Sequence, residues 1–140
     1  MKLGKVTGAR LQAFWESEIE HVFPRDPSAL FGGWLPRVAG MKVVFRADAP
    51  RGHHVVSLEV NGKPPDPAAI YALASCEREG DAPDTMCRMH HVADAKVTAL
   101  DVHTVLREWL GAHDPVSAPT LGNVVAVDLP ARVFSQWERR

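Results

Sequence analysis

Apolar residues recur near the start of the chain at the spacing of an amphipathic helix. Positions three, four and seven apart carry Leu11, Phe14, Trp15, Ile19, Val22 and Phe23, which places them on one helical face. Thr7 can cap the first turn through its hydroxyl, while Pro24 and Pro27 cannot continue the helix. The pattern predicts a helix as the first element. Its solvent face would carry Arg10, Glu16, Ser17 and Glu20.

Alternation with a period of two predicts strands in the middle of the chain. Two such segments surround residues 41–45 and 55–60, and a third runs from about Ile70 to Cys76. Residues 49–52 and the pair Asn61-Gly62 have the composition of turns. Met41, Val43 and Phe45 would share one face of the first of these strands, and Val56, Leu58 and Val60 are predicted to face inward from the second.

A second helix and a late strand complete the pattern. Asp101 is a suitable cap, Gly111 a suitable stop, and residues 124–127 form a short apolar run. The order of elements predicts an α+β fold, with a largely antiparallel or mixed sheet packed with two main helices. The length of 140 residues indicates a single domain, 1–140. The apolar stripe of the second helix would be Val102, Val105, Leu106, Trp109 and Leu110.

Composition narrows the classes of partner. The formal net charge of -1 gives no electrostatic reason to expect a nucleic-acid polymer. No apolar stretch approaches the roughly 18 residues that cross a membrane. Cys76 and Cys87 are the two cysteines, and the sequence leaves open whether they form a disulfide or stay free thiols.

Three motifs follow one another in the centre of the chain. Gly33-Trp34 opens a segment that ends at Phe45, Asn61-Gly62-Lys63-Pro64 closes the next strand, and Tyr71-Ala72-Leu73-Ala74 begins another. In order and spacing they resemble the C-terminal, substrate-binding domain of the 5′-nucleotidase family of two-domain metallophosphoesterases. The resemblance implies a domain that holds a nucleotide or related ester. The catalytic two-metal centre would lie in an N-terminal metallophosphatase domain, so this chain itself would carry no cofactor and no catalytic residue.

The resemblance also assigns candidate substrate-binding residues. Trp34 occupies the position of an aromatic residue that stacks on the nucleotide base, and Asp81 that of a hydrogen-bonding acid. Arg37 and Arg78 are candidates for contact with phosphate or sulfate. Three of the four have a structural alternative: Trp34 as a core or interface aromatic, Asp81 as a turn residue, and Arg78 as a partner of neighbouring acids.

The sequence departs from the family at one position of the base site. Ser75 stands where the family has a second aromatic residue, so nucleotide binding in the family's usual way is not expected. The sulfur-oxidation thiohydrolases are a related branch with a non-nucleotide substrate. The alternative to a substrate-binding domain is a binding or assembly module that has kept the fold and lost the pocket.

A metal site within the chain is the third hypothesis. The doublets His53-His54 and His90-His91 cannot chelate with both rings if they lie on strands, because adjacent side chains point to opposite faces. Cys76, Cys87 and His90 are a conceivable composite site, but no established zinc motif is present. The chain does not reveal its compartment, and the family resemblance implies a periplasmic or extracellular parent protein.

Overall fold

The computed structural model describes residues 1–31, 33–113, 115–117 and 122–129. Its elements in chain order are β1 (Lys2–Thr7), α1 (Gly8–Val22), a short 3-10 helix (Pro27–Ala29), β2 (Met41–Phe45), β3 (Val55–Val60), β4 (Ile70–Ser75), β5 (Ala93–Val97), α2 (Val102–Ala112) and β6 (Val124–Ala126). Two main helices accompany two three-stranded sheets, which confirms the predicted α+β class.

The described residues form two compact units. The first unit contains residues 1–11 with the described part of 66–121, and the second contains the described parts of 12–65 and 122–140. The expectation of one domain over 1–140 stays a prediction.

The first unit is built on an antiparallel sheet with β1 at its centre. The strand order is β4-β1-β5, and β1 pairs with β4 without interruption from Lys2↔Ser75 to Thr7↔Ile70. Gly4 lies at a close approach in this sheet. A Cβ added there would collide with Val92 and would lie 2.6 Å from the sulfur of Met86, so only a residue without a side chain fits.

The prediction that a helix comes first is wrong, because β1 precedes it. The inward face of β1 carries Lys2, Gly4 and Val6, whereas Leu3 is 45% exposed. A buried lysine is tolerated because its ammonium group donates to the carbonyls of Ala82 and Thr85, at 3.3 and 3.0 Å.

The second unit contains a mixed sheet. Its order is β3-β2-β6, with β2 antiparallel to β3 and parallel to β6. The buried cluster of Ile19, Phe45 and Ala47 lies where α1 meets this sheet. Partly buried side chains that pack against the cluster are Phe23, Leu35, Val55, Val124 and Ala126.

A β-bulge changes which residues of β3 face inward. Val44 pairs with Ser57 and Phe45 pairs with Val55, so Val56 has no partner in the ladder. Beyond the bulge Leu58 is buried as predicted, but Val56 is 56% exposed and Val55 packs against the core. The prediction that Val56 faces inward is therefore wrong, because one extra residue shifts the alternation.

Both predicted helix starts are confirmed. The Thr7 hydroxyl accepts from the amide of Arg10 at 3.2 Å, and the Asp101 carboxylate accepts from the amide of Thr104 at 3.0 Å. Helix α2 passes through Gly111 and ends at Ala112, so Gly111 is not its stop.

Among the described residues, no helix combines the length and apolarity needed to cross a bilayer.

Two acidic residues of α1 contact His54 or the first residue of β3, which corrects their predicted solvent position. The Glu16 carboxylate accepts from the backbone amides of His54 and Val55 at 2.8 and 2.9 Å. Glu20 lies 2.8 Å from Nε2 of His54, whose ring is fully buried. The Nδ1 of His54 lies 2.9 Å from the Arg46 carbonyl. Because a carbonyl can only accept, Nδ1 carries a proton.

Candidate functional site

Trp34 and Arg37 lie together in the segment between the 3-10 helix and β2. Trp34 is 81% exposed, which contradicts its alternative assignment to the core, and Arg37 is also exposed. The segment is nevertheless anchored on both sides of Arg37. Leu35 packs against the core cluster, and the Asn123 side chain donates to the Val38 carbonyl at 2.8 Å. An indole held in this way can present its face to a ligand.

Phe31 is a residue that the sequence analysis missed. It is 75% exposed, and its ring centre lies 5.7 Å from that of His21, at an angle of 43°. Its amide donates to the His21 carbonyl at 3.3 Å. Phe31 lies between the predicted helix and the predicted strand. Neither the helical nor the strand spacing of apolar residues therefore predicts whether it is buried or exposed. The available signal was a large aromatic beside Gly32-Gly33 in a segment without a predicted element.

Arg78 and Asp81 share a turn after β4 in the first unit. The Asp81 amide donates to the Arg78 carbonyl at 3.2 Å, and Gly80 between them has φ 87°. Arg78 is exposed and Asp81 is half-buried. Trp34 and Arg37 belong to the second unit. The structure therefore describes the four candidates as two pairs, and their assignment to one binding site stays a prediction.

The loop between β4 and β5 is held by hydrogen bonds of its own histidines and of two basic side chains, Arg10 and Lys2. The guanidinium of Arg10 donates twice to the His90 carbonyl, at 3.1 and 2.8 Å, and Lys2 reaches the same loop from β1. The His90 ring lies 3.0 Å from the Thr85 hydroxyl, and the His91 ring lies 3.2 Å from the Asp84 carboxylate. These contacts give both rings a structural role.

The composite metal site proposed from sequence does not form in the described part of the chain. No group of three or more His, Cys, Asp or Glu side chains there is arranged to hold a metal ion. Cys76 and Cys87 are both exposed free thiols, which decides the question that the sequence left open.

A cavity of about 560 Å³ lies at the end of α1 in the second unit. It is lined by Phe23, Pro24, Arg25, Ala47 and Asp48, and contains none of the predicted site residues. Arg25 spans part of it, since its guanidinium donates to the Asp48 carbonyl at 2.8 and 3.3 Å.

Two carboxyl groups meet beside this cavity. Asp128 accepts from the amides of Ala47 and Asp48 at 2.9 and 3.0 Å. A side-chain hydrogen bond between Asp48 and Asp128, and the charge of Asp128, raise the pKa of Asp48 above its usual value. The same bond, with the two amides, holds the pKa of Asp128 well below it. The pair shares a proton more readily than two isolated aspartates.

Comparison with known proteins shows a similarity of fold. No family model matches the chain, and no curated protein matches it. Among solved structures it is similar to the sulfate thiohydrolase SoxB of Thermus thermophilus, determined in complex with glycerol. The two share 26% sequence identity over 94% of this chain, with a TM-score of 0.68. The match covers 23% of the SoxB chain, so the similarity is to one part of a longer enzyme.

Proposed function

We propose that this chain is the substrate-binding domain of a two-domain hydrolase of the 5′-nucleotidase type. Its substrate would be a nucleotide or a related phosphate or sulfate ester. The observation that supports this proposal best is the unequal coverage of the SoxB match, which spans 94% of this chain but 23% of the SoxB chain. A segment with that coverage is expected to supply one function of the enzyme and leave the others to the remaining chain.

Trp34 and Arg37 would carry the recognition in the second unit. A solvent-facing indole offers a flat surface on which an aromatic ring can stack, and a guanidinium can bind a phosphate or sulfate group through two hydrogen bonds. Both groups are exposed and sit on an anchored segment. Arg78 and Asp81 are proposed as further substrate contacts in the first unit.

The proposal includes a second domain, an N-terminal metallophosphatase domain of the parent protein. Such a domain would hold the two metal ions that activate water for attack on the ester. The chain described here would bind the rest of the substrate and would hydrolyse nothing alone. The family resemblance makes the periplasm or the cell exterior the proposed compartment.

Calorimetric titration of the purified chain with adenosine 5′-monophosphate and with thiosulfate tests the proposal. We expect saturable binding of at least one of them. If the nucleotide binds, Trp34→Ala should weaken its binding about 5- to 150-fold, the equivalent of one stacked base. Trp109→Ala is the matched control, because Trp109 is also exposed but lies on α2. Equal losses in both variants, or none in Trp34→Ala, would contradict the role of Trp34.

A second candidate function is a non-catalytic binding or assembly module. Ser75 favours it, because the side chain that stands where the family has an aromatic residue is small and its hydroxyl bonds the Cys76 carbonyl at 3.0 Å. Failure of the chain to bind either ligand, together with saturable binding to a separately produced metallophosphatase domain, would select this function.

A further inference from the structure

Phe31 and Trp34 are the most exposed large apolar side chains in the ranges that the structure describes. They are 75% and 81% exposed, and the next most exposed, Ile70, is 61% exposed. The other phenylalanines in those ranges, Phe14, Phe23 and Phe45, are half-buried or buried. Two large apolar side chains that are mostly exposed, three residues apart, forgo much of the stabilisation that burial gives. Such a local concentration is typical of a binding surface.

The backbone on the helix side of Phe31 is fixed by local hydrogen bonds. Asp26 caps the 3-10 helix by accepting from the Ser28 amide at 2.9 Å, and the Leu30 amide donates to the Pro27 carbonyl at 3.3 Å. The amide of Phe31 then bonds the His21 carbonyl at the end of α1. The Phe31 side chain is therefore presented by a constrained segment, which reduces the entropy lost when a ligand binds.

The ring of Phe31 has a neighbour and still faces solvent. The imidazole of His21 lies against it at 5.7 Å, while three-quarters of the side chain stays exposed. A flat aromatic ligand can recover the unused ring contact by stacking. An inorganic sulfur anion has no ring and gains nothing from this contact.

We propose that Phe31 is a second stacking residue for the ligand of Trp34, with His21 as its support. Phe31 and Trp34 would then recognise a planar aromatic ring, and Arg37 would bind an anionic group on the same ligand. This inference rests on the proposed substrate-binding function and narrows it. Ring recognition would not need an aromatic residue at position 75.

Calorimetric titration of Phe31 variants with adenosine 5′-monophosphate tests the inference. Phe31→Ala and Phe31→Leu should weaken binding about 5- to 150-fold, because leucine keeps apolar volume but has no ring. Phe31→Tyr should bind like the natural chain. Ribose 5-phosphate, which lacks the base, should bind the natural chain and Phe31→Ala equally. Leu30→Ala is the neighbouring control and should leave nucleotide binding unchanged.

The outcomes separate this inference from the function on which it rests. Loss of nucleotide binding in Trp34→Ala with full binding in Phe31→Ala and Phe31→Leu would overturn the role of Phe31 and leave the proposed function intact. A natural chain that binds thiosulfate but no nucleotide would also overturn it. A chain that binds none of these probes would overturn both. Thermal unfolding of each variant confirms that a loss of binding does not reflect a loss of fold.

Discussion

At the scale of single residues, the least expected contact is that of Glu16. Its position in the helical pattern predicts a solvent-facing side chain, yet its two oxygens accept from the amides of His54 and Val55, where β3 begins. A carboxylate can do this because it accepts at both oxygens and is long enough to reach a neighbouring strand. Helical periodicity reports only whether a face is polar. It does not reveal that an adjacent strand offers unpaired amides.

Glu16→Ala should therefore lower the free energy of unfolding by about 2 kcal/mol, since it leaves two backbone donors without their acceptor. Urea denaturation followed by circular dichroism measures the change. Ser17→Ala is the matched control, because Ser17 is the next residue of α1 and is exposed; a surface substitution of this kind usually stays within about 0.5 kcal/mol. Equal stability of the two variants would show that water replaces the carboxylate at no cost.

At the scale of elements, the strands that the sequence missed, β1 and β5, lack a regular alternation of large apolar residues. The inward face of β1 is Lys2, Gly4 and Val6, and hydrophobic alternation cannot identify a strand that buries a lysine and a glycine. Strand β5 contains Ala93-Asp94-Ala95-Lys96-Val97 and is defined by its pairing with β1. Both depend on partners distant in sequence. By contrast α1, β2, β3, β4 and α2 carry their periodicity or caps locally, so they were predictable.

The candidate site also contains residues that the sequence could predict and one that it could not. Trp34 could be proposed from sequence because it stands in a motif, and its exposure is what the structure adds. Phe31 could not, since its contact with His21 depends on how the chain turns after α1. Arg78 and Asp81 were assigned by motif alone, and the structure adds only their shared turn.

The Asp48–Asp128 pair gives a prediction about the link between β6 and the turn after β2. Because the pKa of Asp48 is raised in the folded chain, its contribution to stability is present at low pH and is lost as pH rises through the folded value. As Asp48 ionises with rising pH, its charge and that of Asp128 repel each other. Asp48→Asn keeps a donor for Asp128 and removes the repulsion, so it should raise the thermal midpoint at pH 7.

The advantage of Asp48→Asn should shrink as the pH falls towards 4, because the raised pKa of the natural Asp48 favours its protonated form there. The lowered pKa of Asp128 acts in the opposite direction: its stabilising bonds are present above the unfolded value of about 3.9 and weaken below it in both chains. Thermal scans at the two pH values measure the difference. Glu79→Gln removes the same charge from an exposed loop residue and should show no such pH dependence. If the difference in thermal midpoint between Asp48→Asn and the natural chain grew towards pH 4, the shared proton would be refuted.

At the scale of the whole molecule, the buried cluster of the second unit and the surface of α2 should contribute very differently to stability. Ile19 is fully buried beside Phe45 and Ala47. Leu106 lies on the apolar stripe of α2, and four members of that stripe are 40 to 51% exposed: Val102, Leu106, Trp109 and Leu110. A cavity forms only where neighbouring side chains enclose the deleted atoms.

Ile19→Ala should lower the free energy of unfolding by about 2–5 kcal/mol, whereas Leu106→Ala should lower it by less than about 1 kcal/mol. Urea denaturation of both variants at two protein concentrations measures the contrast. A large, concentration-dependent loss in Leu106→Ala would mean that the stripe is covered in solution by a second copy of the chain. A large loss without concentration dependence would mean that Leu106 is enclosed within its own chain, contrary to its exposure in the structure.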